Sequence, residues 1–289
     1  MNFREKINSG KFIVTSEIAP PKGIETDALL KDAELVRGRV DGISVTDLQS
    51  SLMRLGSLAV CLKLKEHNFE PILQVTCRDR NRLALQSDLL SAASLGLENV
   101  LISTGDHPSA GDHPEAKAVF DLDSVQLLQV AKGLESGFDM KGNKLAGALP
   151  KFYKGAAVNP GADPLEPQII KMEKKISAGA EFFQTQAVFD IALFEKFITK
   201  TKHLKAPVFA GIILLKSGAM ARYMNKNVAG INIPDGLIKE IEEAKDKAAK
   251  SVEIASRIIK ELKPMCRGLH LMPIGWDKIL PAVLDASGL

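Results

Sequence analysis

The sequence predicts an α/β fold, a single (β/α)8 TIM barrel with inserted loops and extra helices over residues 1–289. Three observations lead there. Short β-branched runs alternate with helical stretches; the runs end at glycine, proline or polar turns; and run starts, counted from Phe12, recur at roughly 30-residue intervals. Strands separated by helices pair in parallel, because each crossover returns the chain to the same edge. Eight such repeats can close a ring, and a 289-residue chain that is 45% hydrophobic can bury the core that ring needs.

The first run is Phe12 to Ile18, ended by Ala19-Pro20-Pro21, prolines that a central strand would not tolerate. A helix follows over Thr26 to Arg37, with Leu29, Leu30, Ala33 and Val36 at helical spacing. The cycle then repeats. The next strands are Gly42 to Thr46, Pro71 to Cys77, Asn99 to Thr104, Gly155 to Asn159, Phe182 to Phe189, Pro207 to Ile213 and Gly268 to Ile274. Helical stretches lie between them at Ser50 to Glu66, Asn81 to Leu95, Asp123 to Leu134, Pro167 to Ser177, Ile191 to Thr199, Ser217 to Asn225 and a long amphipathic Asp235 to Leu262. The spacing doubles before Gly155 and before Gly268, which marks insertions: a loop from His107 to Phe120 with a polar turn from Gly137 to Gly147, then additional helix. A doubly wound open sheet is the alternative. It lacks support, since no GxGxxG occurs and the Gly137 to Asn143 turn fails the P-loop pattern. No linker, low-complexity tract or composition shift marks a second domain.

Composition removes several classes of function. A net charge of +3, without a basic stripe interleaved with aromatics, argues against nucleic acid. Cys61, Cys77 and Cys266 are far apart with no CxxC pair, so they read as three buried thiols in a reducing compartment. Met1 to Gly10 has no apolar core of a signal peptide, and no run approaches the roughly 18 apolar residues of a membrane span. A cytoplasmic protein is expected.

In a barrel of this kind, chemistry gathers at the C-terminal strand ends. Those ends carry Glu17, Thr46 with Asp47, Gln74 with Thr76, Asp106 with His107, Asn159, Gln184 with Gln186, Lys216, and Met272-Pro273. Glu17 lies in an otherwise apolar strand. A buried carboxyl there is either a general acid or half of a structural ion pair. Gln184 and Gln186, two apart, share a face and offer the donor and acceptor that reading a heterocyclic amide edge requires. The doubled Asp-His-Pro at Asp106 and Asp112 lacks further ligands at metal spacing and reads as a proline-stiffened loop, so no metal is assigned. The charges of Arg78, Asp79, Arg80 and Arg82, and of Lys171, Lys174 and Lys175, are solvated faces or a phosphate contact at the mouth.

These strand ends together resemble the methylenetetrahydrofolate reductase family, flavin-dependent enzymes that reduce 5,10-methylenetetrahydrofolate to 5-methyltetrahydrofolate. The likeness rests on Ser16-Glu17-Ile18-Ala19-Pro20-Pro21-Lys22, Val45-Thr46, Val75-Thr76-Cys77, Thr104-Gly105-Asp106, Ala178-Gly179-Ala180, Thr185-Gln186 and Gly211-Ile212, in that order on successive strands. The resemblance implies Glu17 as the acid that protonates folate N10, and Asp106 as a carboxylate beside pterin and flavin. It also implies Gln186, with Gln184, at the pterin. For the flavin, FAD or FMN, it implies Thr46, Gln74, Thr104, Gly105, Asp106, Leu122, Asp123, Ser124 and Asn159, with Lys175 toward phosphate. The chain departs from the best-known bacterial pattern at Gln74 (histidine there), at Thr104 (arginine) and at Val158-Asn159-Pro160 (tyrosine, then histidine). The loop Lys216 to Met220 also lacks the family's stacking phenylalanine. The implied electron donor is NAD(P)H or an iron-sulfur partner subunit in a homo- or hetero-oligomer. Competing readings are a flavin- or folate-binding subunit dependent on that partner, and a pterin-dependent methyltransferase barrel.

Overall fold

The computed structural model describes residues 1–289, and its strands form the expected closed barrel in the order β1 to β8, every pair parallel. The strands are β1 Ile13–Ile18, β2 Gly42–Val45, β3 Pro71–Thr76, β4 Asn99–Ser103, β5 Tyr153–Val158, β6 Phe182–Ala187, β7 Val208–Ile213 and β8 Gly268–Met272. Eleven helices surround or cap them: α1 Phe3–Asn8, α2 Asp27–Glu34, α3 Ser57–Glu66, α4 Arg82–Ser94, α5 Ser124–Glu135, α6 Glu166–Ser177, α7 Ile191–Thr201, α8 Gly218–Asn227, α9 Asp235–Glu243, α10 Lys247–Leu262 and α11 Leu280–Ser287. No helix is long and apolar enough to cross a membrane.

Three expected helices and one strand are redrawn. The helix expected over Ser50 to Glu66 begins only at Ser57. Before it, Gln49–Ser51 make a tight 3-10 turn, and Gly56, in extended conformation, opens the helix. The stretch Asp235 to Leu262 is two helices, because Asp246 turns its carboxylate onto the Ala249 N–H and caps a fresh start. The helix from Thr26 stops at Glu34, three residues short of the expected Arg37. β5 begins at Tyr153, where its N–H finds the Glu98 carbonyl. Cys61 and Cys77 are buried as expected, whereas Cys266 is half-buried; burial pushes the Cys77 thiol up to about 12 and Cys266 to about 11.

Two apolar layers organise the interior. Most of the core lies between strands and outer helices, as the branched aliphatic runs require. A separate cluster fills the lower bore of the barrel: Phe3 and Ile7 of α1 with Ile13, Ile72, Leu101, Tyr153, Phe182 and Phe209. Phe182 stacks on Tyr153 at 5.1 Å and on Phe209 at 5.5 Å, and Phe3 meets it edge-on at 5.7 Å. Glycine makes the room. A Cβ at Gly155 would strike the Phe182 ring, and one at Gly268 would lie 2.9 Å from Phe209 Cδ1. Above this floor the inward positions turn polar, with Thr15, Ser44, Gln74, Gln184 and His270, and Glu17 near the top. The apolar floor and polar ceiling place the chemistry at one end.

Candidate active site

Eight of the side chains singled out from the sequence line one cavity of about 370 Å3: Glu17, Gln74, Thr104, Ser124, Asn159, Lys175, Gln184 and Gln186. That volume lies in the range of small-molecule sites, roughly 300–1,000 Å3. A second cavity of about 410 Å3 is bounded by Ala19-Pro20-Pro21, α2 and Pro273 to Gly275. Glu17 and Gln49 belong to the walls of both.

Glu17 is 9% exposed, a burial that a carboxylate tolerates only with partners. Its Oε1 accepts from Gln49 Nε2 at 3.0 Å, and its Oε2 lies 3.5 Å from both Gln74 Nε2 and His270 Nε2. Gln74 gives its shorter bond, 3.0 Å, to Ser44 Oγ. Gln184 is buried with its Oε1 unpaired, while its Nε2 sits 3.5 Å from Thr15 Oγ1. A buried amide oxygen without a donor is costly unless a ligand supplies one. Between Gln184 and Ala187 the β6–β7 register shifts, and Thr185 Oγ1 takes the Gly211 N–H that the ladder would otherwise leave open. Despite the shift, both glutamines reach the cavity.

Gln49 owes its position to a strained loop. Leu48, Ser50 and Ser51 have φ of 49°, 55° and 58°, left-handed values that side-chain-bearing residues avoid. Arg78, 2% exposed, holds them: Nη2 donates to the Leu48 carbonyl and Nη1 to Ser51 Oγ, both at 3.2 Å, while Asp79 neutralises it at 2.7 Å. Gly111 lies against the Ser51 carbonyl with no room for a Cβ. Gly111→Ala therefore pushes backbone on backbone, and a loss of about 1–3 kcal/mol is expected, read as a lower urea midpoint. The other charges after β3 are structural: Arg80 pairs with Asp47 and Asp88, and Arg82 with Asp121 at 2.8 Å.

Gln168, Lys171 and Lys175 project from one face of α6 at helical spacing and line the cavity. Lys175 Nζ donates to the Ala157 carbonyl at 2.6 Å. Burial, then repulsion from Lys171, lowers its pKa to about 8, with Asp123 opposing. Because the folded value lies below the ordinary 10.5, its burial costs stability while both states are charged. That cost is relieved as pH rises from about 8 toward 10.5.

Five site residues expected from the resemblance do not line the cavity. Leu122 is core beneath α5, and the Asp123 carboxylate is engaged in capping that helix, accepting from Gln126 N at 2.8 Å. Thr46 is buried, its Oγ1 without a partner. Gly105 has φ 89° and packs on Thr76 and Arg78, where a Cβ would lie 3.1 Å from Thr76 Cβ. Asp106 is exposed, and its carbonyl accepts from Ser51 Oγ at 3.1 Å. The turn at Gly105 has carried Asp106 past the rim. Conversely, Gln49 and His270 contact Glu17 without having been singled out as site residues. Gln49 lay at an assumed helix start, and a histidine within a strand reads as core until β8 is seen to close on β1.

The family model described as methylenetetrahydrofolate reductase matches residues 2–288. Methylenetetrahydrofolate reductase 2 of Schizosaccharomyces pombe is 24% identical over 249 residues, covering 81% of this chain and 38% of that protein. Methylenetetrahydrofolate reductase (NADH) 1 of Zea mays is 23% identical, covering 99% of this chain and 50% of its own length. The chain thus spans about half or less of these two curated relatives. A solved structure from Clostridium thermocellum, of a protein that binds two copies of 5-methyl-5,6,7,8-tetrahydrofolic acid, shares the fold at TM-score 0.67 and 17% identity, covering 99% of this chain and 98% of that one.

Proposed function

The chain belongs to the methylenetetrahydrofolate reductase family, and from that premise we propose that its barrel mouth reduces 5,10-methylenetetrahydrofolate to 5-methyltetrahydrofolate with a bound flavin, Glu17 acting as general acid. The observation that carries this reading is a buried carboxylate fixed by two glutamines at the edge of a polar cavity whose Gln184 oxygen lacks a donor. An N–H on a pterin edge would satisfy that oxygen. Gln186, at the same rim, has an amide nitrogen free to donate to the ring, since only its Oε1 is engaged, by Ala187 N at 3.2 Å.

The residues present fit a flavin. Gln184 Oε1 is a buried acceptor without a partner on the cavity wall, Thr104 and Ser124 hydroxyls meet there at 3.2 Å, and Lys171 and Lys175 offer cations for phosphate. Gln74 and Asn159 complete the set that would hold it, while Leu122 and Asp123, outside the cavity, fix the start of α5 at Ser124. When bound, the flavin would supply the hydride. Glu17 would transfer its proton to folate N10, breaking the ring C–N bond and leaving the methylene carbon as the electrophile. The surrounding amides would orient the ring, and Asp106, exposed past the rim, would act on the cation only through its charge and not by contact.

Lys175 gives the cofactor a pH dependence. An anion needs it charged, so affinity for a phosphate-bearing flavin is expected to fall by up to about tenfold per unit above pH 8, measured by fluorescence titration of the apoprotein. A flat response to pH 10 would remove Lys175 from the phosphate site.

The test of the whole reading is purification followed by cofactor extraction, then turnover of methylenetetrahydrofolate with NADH, NADPH or an artificial reductant. Bound FAD or FMN with turnover supports it. A protein without flavin absorbance would favour the methyltransferase reading, and bound flavin without turnover under any reductant would favour a subunit that depends on an iron-sulfur partner.

A further inference from the structure

Gln49 stands half-buried between the 370 Å3 and 410 Å3 cavities, on the walls of both. Its side-chain amide makes a single hydrogen bond in the whole molecule, from Nε2 to Glu17 Oε1 at 3.0 Å. The other glutamine on Glu17 is differently employed. Gln74 gives its shorter bond to Ser44 Oγ and reaches Glu17 Oε2 only at 3.5 Å. Gln49 is therefore the closest partner of that carboxyl, and the carboxyl is all that its amide serves.

The backbone that carries Gln49 is unfavourable taken alone. Leu48, Ser50 and Ser51, on either side of it, hold left-handed φ values with no glycine to ease them. Such a turn persists only where its surroundings over-determine it. Here Arg78 fastens the Leu48 carbonyl and Ser51 Oγ, and Ser51 Oγ donates in turn to the Asp106 and His107 carbonyls, at 3.1 Å from each. What the turn delivers is one amide N–H aimed at one carboxyl oxygen. In a carboxylic acid the oxygen that accepts an N–H is the carbonyl one, which leaves the proton to Oε2. Oε2 faces Gln74 and His270, both on the wall of the 370 Å3 cavity. When that proton leaves, Glu17 changes from a neutral acceptor into a carboxylate, and a hydrogen bond to a carboxylate is roughly twice as strong. The N–H thus stabilises the state after transfer more than the state before it, which is the condition for speeding the step.

We propose that Gln49 is a positioning residue: it sets the proton on the Glu17 oxygen that faces the folate cavity, and it stabilises the carboxylate left when that proton moves. This role rests on Glu17 being the acid, as proposed above. A single proton is involved. The Oε2–H bond breaks as the N10–H bond forms, Gln49 keeps both of its hydrogens, and no electrons are exchanged in the transfer. The other charged and titratable groups that face Glu17 are His270 at 3.5 Å, Lys171 and Lys175 across one cavity, and Glu25, Asp32, Arg54 and Asp277 across the other. None of them is hydrogen-bonded to Gln49.

Gln49→Met keeps the reach of the side chain and removes its N–H, and two measurements on it test this. In the flavin-free protein, carboxyl-labelled NMR, with the Glu17 signal identified by its loss in Glu17→Gln, should show Glu17 keeping its proton to a pH about half a unit or more higher in Gln49→Met than in wild type. Equal titrations in the two proteins overturn the proposal. In the loaded enzyme, at the acid end of the pH profile where Glu17 is protonated in both proteins, the folate half-reaction is expected to slow by about 5- to 15-fold. Folate affinity and flavin reduction by the donor should stay as in wild type. The deficit should shrink as pH rises, because the variant keeps more of its Glu17 protonated, and in a Glu17→Gln background Gln49→Met should change nothing further. A wild-type rate defeats the proposal, as does a loss of equal size at every pH or one that persists on top of Glu17→Gln, since either would make Gln49 scaffold alone. If Glu17→Gln itself leaves folate reduction intact, the acid assignment fails first. If that variant is slowed as expected and Gln49→Met is silent, only the positioning role fails.

Discussion

Glu17→Gln is expected to lower folate reduction by at least the 10²- to 10⁴-fold that general acid catalysis contributes, while flavin reduction by the electron donor proceeds at the normal rate. The substitution keeps shape and burial. Its amide oxygen can still accept from Gln49, and its NH2 can face His270 Nε2, which as a neutral ring accepts. The fold and the cofactor site should therefore survive, and the loss should fall on one half-reaction. Stopped-flow measurement of the two half-reactions between about pH 6 and 8 separates them. Near-normal folate reduction anywhere in that range would take Glu17 out of the chemistry.

The second large effect concerns stability. Phe182→Ala is expected to cost about 3–5 kcal/mol, since it removes a fully buried ring on which Tyr153, Phe209 and Phe3 all pack. Urea unfolding of the purified variant gives the number. The partner glycine supplies a control. Gly155→Ala alone drives a methyl into the ring and should destabilise, but in the Phe182→Ala background that methyl enters empty space. A double-mutant cycle should then show coupling of about 1–3 kcal/mol. Additive effects would mean that the floor is not packed as described.

The strands were legible because each is an apolar run bounded by proline, glycine or a polar turn, signals that act over a few residues. The break between α9 and α10 was not, since Ala244-Lys245-Asp246 contains neither glycine nor proline and the apolar stripe continues on both sides. Glu17, Gln184 and Gln186 could be singled out as polar groups in strands that should be aliphatic. Gln49 could not. Its place depends on Arg78 and Gly111, residues distant in sequence that hold a left-handed turn, and no local pattern encodes such a turn without glycine. His270 stayed hidden for a related reason: its meaning comes from Thr15 and Glu17, which only ring closure brings beside it. Asp106 shows the converse, a residue prominent in a motif whose carboxylate is left exposed outside the cavity once the turn is built.

With Phe3 corking the bottom, the barrel is a blind shaft that opens at the C-terminal ends of its strands. Reagents that must visit the same spot cannot enter from above and leave below. For the reaction proposed above, donor and acceptor would have to queue, each departing before the next arrives, so that the order of events would be dictated by plumbing as much as by affinity.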